Sequence, residues 1–170
     1  MATLIGAGAH TQDILSADRT FDGGRFVVHH DYIDMPFDLT VYTRPIVIGV
    51  NDPRLRAKIA AELGIYDDPW IHLDAHLYHS VWYGDGTHIN YGVHAVRTRI
   101  GNHCTISPGV TICGDVTIGD RVLVGAGAVI CDRVTIGNDV TIGAGTIILP
   151  ETRVLDGETW VGNPGRRIER

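Results

Sequence analysis

The sequence predicts a mainly β chain: a parallel β-helix of three-sided coils behind a small α/β segment. Three observations lead there. From Ile100 onward the chain repeats every six residues. Each unit holds one large and one small apolar position, with glycine the commonest residue beside the large one. Ahead of residue 71 the rhythm is absent, and strand, turn and helix patterns take its place.

The front segment begins with "ATLIGAGAHTQDIL", which reads as a short strand, a glycine turn and a helix start. "RPIVIGVND" gives a buried strand over Pro45 to Val50 that ends in a turn. In "DPRLRAKIAAELG", Leu55, Ile59 and Leu63 have helical spacing, Pro53 stands early and Gly64 marks the stop. Together these make a βαβ-type unit with parallel strands, expected over residues 1–70. The Gly6-Ala7-Gly8 turn before a helix is placed to present backbone N–H groups to a phosphate. The third glycine of a dinucleotide fingerprint is missing, and no room remains for a full dinucleotide-binding domain.

The repeat runs IGNHCT, ISPGVT, ICGDVT, IGDRVL and onward to VLDGET. Position one is always Ile or Val, position two is most often Gly, in five of the ten units, and position five is small until the last unit. A helix would need spacing near 3.6 and would tolerate few glycines. Hairpins would show period two. A strict six fits a chain that turns a corner every six residues, with three sides making a coil of about 18 residues stacked on the next. Position one then fills the interior, position five packs beside a corner, and glycine allows a tight bend. Upstream the beat continues in another phase through IHLDAH, LYHSVW, YGDGTH and INYGVH. Between the two phases stands AVRTR, one residue short, so the break lies at Ala95 to Arg99.

Composition narrows the function. A net charge of -6 argues against a nucleic-acid polymer as partner. No apolar run approaches a membrane span of about 18 residues, and "MATLIGAGAH" lacks the parts of a signal peptide. Cys104, Cys113 and Cys131 lack metal-type spacing and read as reduced thiols of a cytoplasmic protein.

Taken together, the hexapeptide beat, the front "IGAGAH" and the closing "WVGNPGRRI" resemble the hexapeptide-repeat acyltransferases. The resemblance is to the branch that acetylates nucleotide-linked sugars or sialic acid in bacterial glycan synthesis. It implies a left-handed β-helix over residues 71–159 and a C-terminal tail over 160–170. It also implies a homotrimer, with acetyl-CoA as acyl donor in a groove between coils. Gly6, Gly8 and His10 match the family's nucleotide turn, Asn51 the turn after its second strand, and Asp31 an acidic residue beyond its early strand. Gly114 matches a glycine that leaves room for the thioester and donates an N–H to the oxyanion. Ala126 and Ala144 match small residues along the pantetheine groove.

The family's base is a histidine. Counting forward from Asn90 its place falls on Arg97, and counting back from Ile100 it falls on Val96. Arginine stays protonated and is a poor substitute, so Arg97 is a substrate-binding candidate. Three histidines remain as catalytic candidates. His94 sits just before the short unit, which is placed to swing it toward the groove. His79 should neighbour Arg97 in one column, about 4.8 Å away. His103 lies one face further on, near the place of a second family histidine whose strict equivalent is Thr105. Two other readings stand beside the transferase. One is a nucleotide-sugar binder that has lost its base. The other is a zinc enzyme like the γ-class carbonic anhydrases, for which His76 and His94 share a column; no metal is expected on the transferase reading.

Overall fold

The computed structural model describes the backbone of residues 2–5, 26–29 and 46–169, with side chains from residue 47 onward. In the front segment, β1 (Ala2–Ile5), β2 (Phe26–His29) and β3 (Ile46–Ile48) form a parallel sheet with β1 in the middle. Ile5 pairs with both His29 and Ile48, so all three strands end on one edge. Helix α1 (Pro53–Leu63) follows. Asp52 caps it, its carboxylate accepting from the N–H of Arg54 at 2.9 Å and Leu55 at 3.0 Å. Gly64 ends it in the left-handed conformation at φ 61°. Ile59 and Ala60 are buried with Ile48, which fixes the helix on the sheet.

From Trp70 the chain winds as a parallel solenoid with three faces. The first face carries Trp70–Ile71, His88–Ile89, Thr105–Ile106, Leu123–Val124, Thr141–Ile142 and Thr159–Val161. An antiparallel strand, Arg166–Ile168, closes its lower end. The second face carries His76–Tyr78, His94–Val96, Thr111–Ile112, Val129–Ile130 and Ile147–Ile148. The third carries Trp82–Tyr83, Thr98–Ile100, Val116–Ile118, Thr135–Ile136 and Arg153–Val154.

The interior follows the six-residue code. Every position-one side chain from Ile100 to Val154 is at most 5% exposed. The position-five residues Cys104, Val110, Val116, Val122, Ala128, Val134 and Val140 are buried beside them. Full burial of each Ile or Val stabilises the fold by about 1.5–3 kcal/mol relative to exposure.

The glycines of position two have a different cause from the bend expected of them. Positive φ at the corners between the third and first faces belongs to His103, Arg121 and Asp139. Gly101, Gly119 and Gly137 instead make room for the coil below. A Cβ on Gly119 would lie 2.6 Å from Asn138 Oδ1 and 2.8 Å from the Gly137 carbonyl carbon. That Asn oxygen accepts the Asp120 N–H at 2.8 Å. Asp120 does the same for Asn102 at 2.7 Å, and Asp156 for Asn138 at 2.8 Å.

One coil is short. His88 pairs with Thr105, a step of 17 residues, whereas Thr105 pairs with Leu123, a step of 18. Ala95 lies over Ile112, but the Arg97 carbonyl accepts from Asp115 at 3.0 Å. Val96 alone therefore spans what Cys113 and Gly114 span below, and Gly114 has no residue above it. The Arg97 guanidinium occupies that space, against the position a Gly114 Cβ would take.

Candidate active site

Three edges run down the solenoid, and they sort the candidate residues. Between the first and second faces, Gly92, Gly109, Gly127 and Gly145 turn with φ of 64° to 69°. Ala126 and Ala144 are exposed neighbours on this edge, with the Gly145 N–H donating to the Ala126 carbonyl at 2.9 Å. Between the second and third faces lie His79, Arg97 and Gly114. The Arg97 N–H donates to the His79 carbonyl at 2.9 Å, which is the column the sequence placed them in. Arg97 is also held by both oxygens of Asp115, at 3.0 and 3.2 Å. Asp115 keeps its carboxyl below the usual carboxylate range through that pairing.

The Gly114 N–H donates to Asp132 Oδ1 at 3.0 Å, so the donor expected for an oxyanion already has an acceptor. His94 does not swing out of the ladder. It stays in register between His76 and Thr111. Its ring stacks on His76 with centroids 4.8 Å apart, and Tyr78 lies in the same stack. The three candidate histidines thus point from separate places: His94 from the second face, His79 from the second edge, His103 from the third.

The third edge, between the third and first faces, is where the front segment docks. The buried Arg56 side chain enters the solenoid there from α1. Its Nε donates to the Gly86 carbonyl at 2.7 Å, and its Nη1 to the Val50 carbonyl. Its Nη2 reaches the carbonyls of His103 at 2.9 Å and Cys104 at 2.7 Å, and Thr105 Oγ1 at 3.1 Å. Thr105 Oγ1 in turn donates to the Asn51 carbonyl at 2.8 Å. Asn51, predicted to meet the nucleotide, therefore stands on the turn where β3 meets the coil. Burial lowers the Arg56 pKa to about 10, against the opposing charge of Asp67.

Asp67 lies in the linker after α1 and is fully buried. Its Oδ1 accepts from the Ile48 N–H at 2.9 Å. Its Oδ2 faces His103 Nδ1 at 3.5 Å and Arg56 Nε at 3.7 Å. Neither Oδ2 nor Nδ1 has a formed hydrogen bond, and both are sealed from solvent. Burial pushes the Asp67 carboxyl up, opposed by His103, the Ile48 N–H and Arg56. A Cβ on Gly86, at φ 60°, would strike both His103 Nδ1 and Asp67 Oδ2. Asp67 and Arg56 escaped the sequence reading. So did His88, fully buried on the first face with its ring 6.0 Å from Trp70.

Gly6, Gly8, His10 and Asp31 lie outside the described residues. Among the described residues, no group of three or more His, Cys, Asp or Glu is arranged to hold a metal ion. Among them, too, no helix is long and apolar enough to cross a membrane.

Residues 97–132 and 115–150 match the family model "Bacterial transferase hexapeptide (six repeats)". No curated protein matches the chain by sequence. Among solved structures, PerB from Caulobacter crescentus in complex with CoA and GDP-perosamine is similar at 22% identity and TM-score 0.73. That similarity covers 99% of this chain and 97% of that one. The acetyltransferase domain of PglB from Neisseria gonorrhoeae, in complex with acetyl coenzyme A, is similar at 22% identity and TM-score 0.66, covering 98% of both chains. WeeI from Acinetobacter baumannii is similar at 18% identity and TM-score 0.77, covering 99% of this chain and 100% of that one. The segment from residue 97 to 150 thus matches a bacterial transferase hexapeptide model, and the chain shares its fold with these solved structures.

Proposed function

We propose that this protein transfers an acetyl group from acetyl-CoA to an amine or hydroxyl of a nucleotide-linked sugar in bacterial glycan synthesis. One observation carries the reading. The chain shares its fold, over nearly the full length of both chains, with structures that hold CoA and GDP-perosamine. The nucleotide sugar would lie on the edge where β1, β2 and β3 end, with Gly6, Gly8, His10 and Asn51 as its contacts. Such a strand-end crevice is where parallel α/β sheets bind ligands.

On the thioester side, Ala126, Ala144 and Gly114 are the candidates, and they lie on other edges than His103. One copy cannot bring these edges together; neighbouring copies in a trimer can. The second face supports contact between copies, because it turns Val129, Ile147 and the half-exposed Leu149 outward. Reduced cysteines and a CoA substrate fit a cytoplasmic setting.

The test is a screen of UDP- and GDP-linked amino sugars with acetyl-CoA, read by free-thiol release. Release above the acetyl-CoA blank for at least one sugar is expected; silence across the panel refutes the transferase. A second reading, a binder that has lost its base, is favoured by Val96 and Arg97 at the family's histidine place. It predicts that one of these sugars binds in calorimetry while no thiol appears.

A further inference from the structure

We propose that Asp67 is a positioning residue for His103: it fixes the ring proton on Nδ1, so that Nε2 is the free nitrogen that draws the proton from the acceptor. This rests on the acetyl-transfer reading for its function, though not for its geometry.

The geometry comes from an account of donors. Asp67 Oδ2 is sealed from solvent and accepts no hydrogen bond, which is a rare state for a buried oxygen. Arg56 does not relieve it. The single Nε proton, 3.7 Å from Oδ2 at its nitrogen, goes to the Gly86 carbonyl, and the hydrogen bonds of Nη1 and Nη2 go to backbone carbonyls and Thr105. His103 Nδ1 is left, 3.5 Å away, equally sealed and equally without a partner. With Asp67 ionised, as the nearby Arg56 and the Ile48 N–H favour, an N–H on Nδ1 satisfies both atoms, whereas an N–H on Nε2 satisfies neither and sets two lone pairs against each other. Gly86 supports the arrangement, since any side chain there would push the two groups apart. The His103 side chain retains 19% exposure while its Nδ1 is sealed.

The position also matters. His103 stands where the front segment meets the coil, beside the turn that bears Asn51. His94 and His79 stand on surfaces that this segment does not reach through any described contact. The carboxylate is supplied from the linker, 36 residues earlier in the chain, so the pair leaves no mark in the local sequence.

The step balances without a further reactant. The acceptor nitrogen or oxygen bonds to the thioester carbonyl carbon and loses its proton to His103 Nε2. The tetrahedral intermediate then expels sulfur as the C–S bond breaks, and the Nε2 proton passes to the thiolate. The amide or ester and free CoA leave, and His103 returns to its neutral Nδ1–H form.

Two measurements decide it. In protein carrying 15N-labelled histidine, long-range proton–nitrogen correlation should show the neutral His103 ring protonated on Nδ1, with the signal assigned by its loss in His103→Gln. An Nε2–H ring in the unaltered protein overturns the proposal without any variant having to fold. In the thiol-release assay, Asp67→Asn should lower kcat about 100-fold with KM for acetyl-CoA within about twofold. Asp67→Glu should recover part of the loss, and the Asp67→Asn and His103→Gln losses should not multiply. A folded Asp67→Asn variant with kcat within about threefold of the parent overturns the positioning role. If the unaltered protein releases thiol with no sugar, acetyl transfer falls and the base role with it, while the tautomer still decides whether Asp67 holds the ring.

Discussion

Gly119→Ala separates two explanations for the glycines of the repeat, because they predict opposite signs. If Gly119 served only chain flexibility, alanine would stabilise the fold by about 0.4–1 kcal/mol, since φ there is not positive. The packing says otherwise. The new Cβ would lie 2.6 Å from Asn138 Oδ1, 2.8 Å from the Gly137 carbonyl carbon and 2.9 Å from the Asn138 nitrogen. Two of these three atoms are backbone of the coil below, so a side-chain rotation cannot relieve the contact. Overpacking of this kind costs about 1–3 kcal/mol. Moving Asn138 also strains its bond to the Asp120 N–H, worth about 0.5–1.5 kcal/mol. The net expectation is a loss of about 2–3 kcal/mol, or roughly 4–12 °C in Tm for a chain this size. The measurement is urea unfolding and a thermal melt at matched protein concentration. Gly127→Ala serves as the control. Its Cβ would meet nothing within 4 Å, so only the backbone penalty at φ 66° should appear, about 1 kcal/mol. An unchanged or raised stability in Gly119→Ala would refute the coil-contact account.

Two further outcomes are expected. Burial pushes the Cys104 thiol up to about 12, so iodoacetamide near pH 8 should label Cys113 and Cys131 and spare Cys104 until the fold opens; peptide mapping reads this directly. Arg121 holds the Asp139 carboxyl below its ordinary value through two bonds of 2.9 and 2.8 Å. A carboxyl lowered on folding contributes stability above its unfolded pKa, about 4, and loses it as pH falls through the folded value. The stability difference between the parent and Arg121→Ala should therefore shrink below about pH 4. Both groups are about a third exposed, so at neutral pH that difference should stay within about 1 kcal/mol.

The solenoid was legible because its interior is written at fixed spacing. Ile100 to Val154 fell at position one and are all buried, and the short unit was located to within two residues. Helix α1 was equally plain, marked by Pro53 and Gly64 at its ends. The cause of the repeat glycines was not legible. It lies in a contact with the next coil, 18 or 19 residues on, which no local φ preference reveals. The histidines misled for a similar reason. His94 looked mobile because the unit after it is short, but the ladder absorbs the missing residue at Val96–Arg97 and leaves His94 in register. Asp67 sits in "YDDPW", which reads as an ordinary turn. Only the docking of the front segment closes it off beside His103 and Arg56.

The 17-residue coil has a consequence for how the chain finds its place. A nearly periodic sequence risks threading one turn out of step, because each storey accepts its neighbour's side chains about as well as its own. An odd-length turn breaks that degeneracy. Arg97 can nest above Gly114 in only one alignment, so the irregularity acts as a fiducial mark from which the remaining turns count their absolute order.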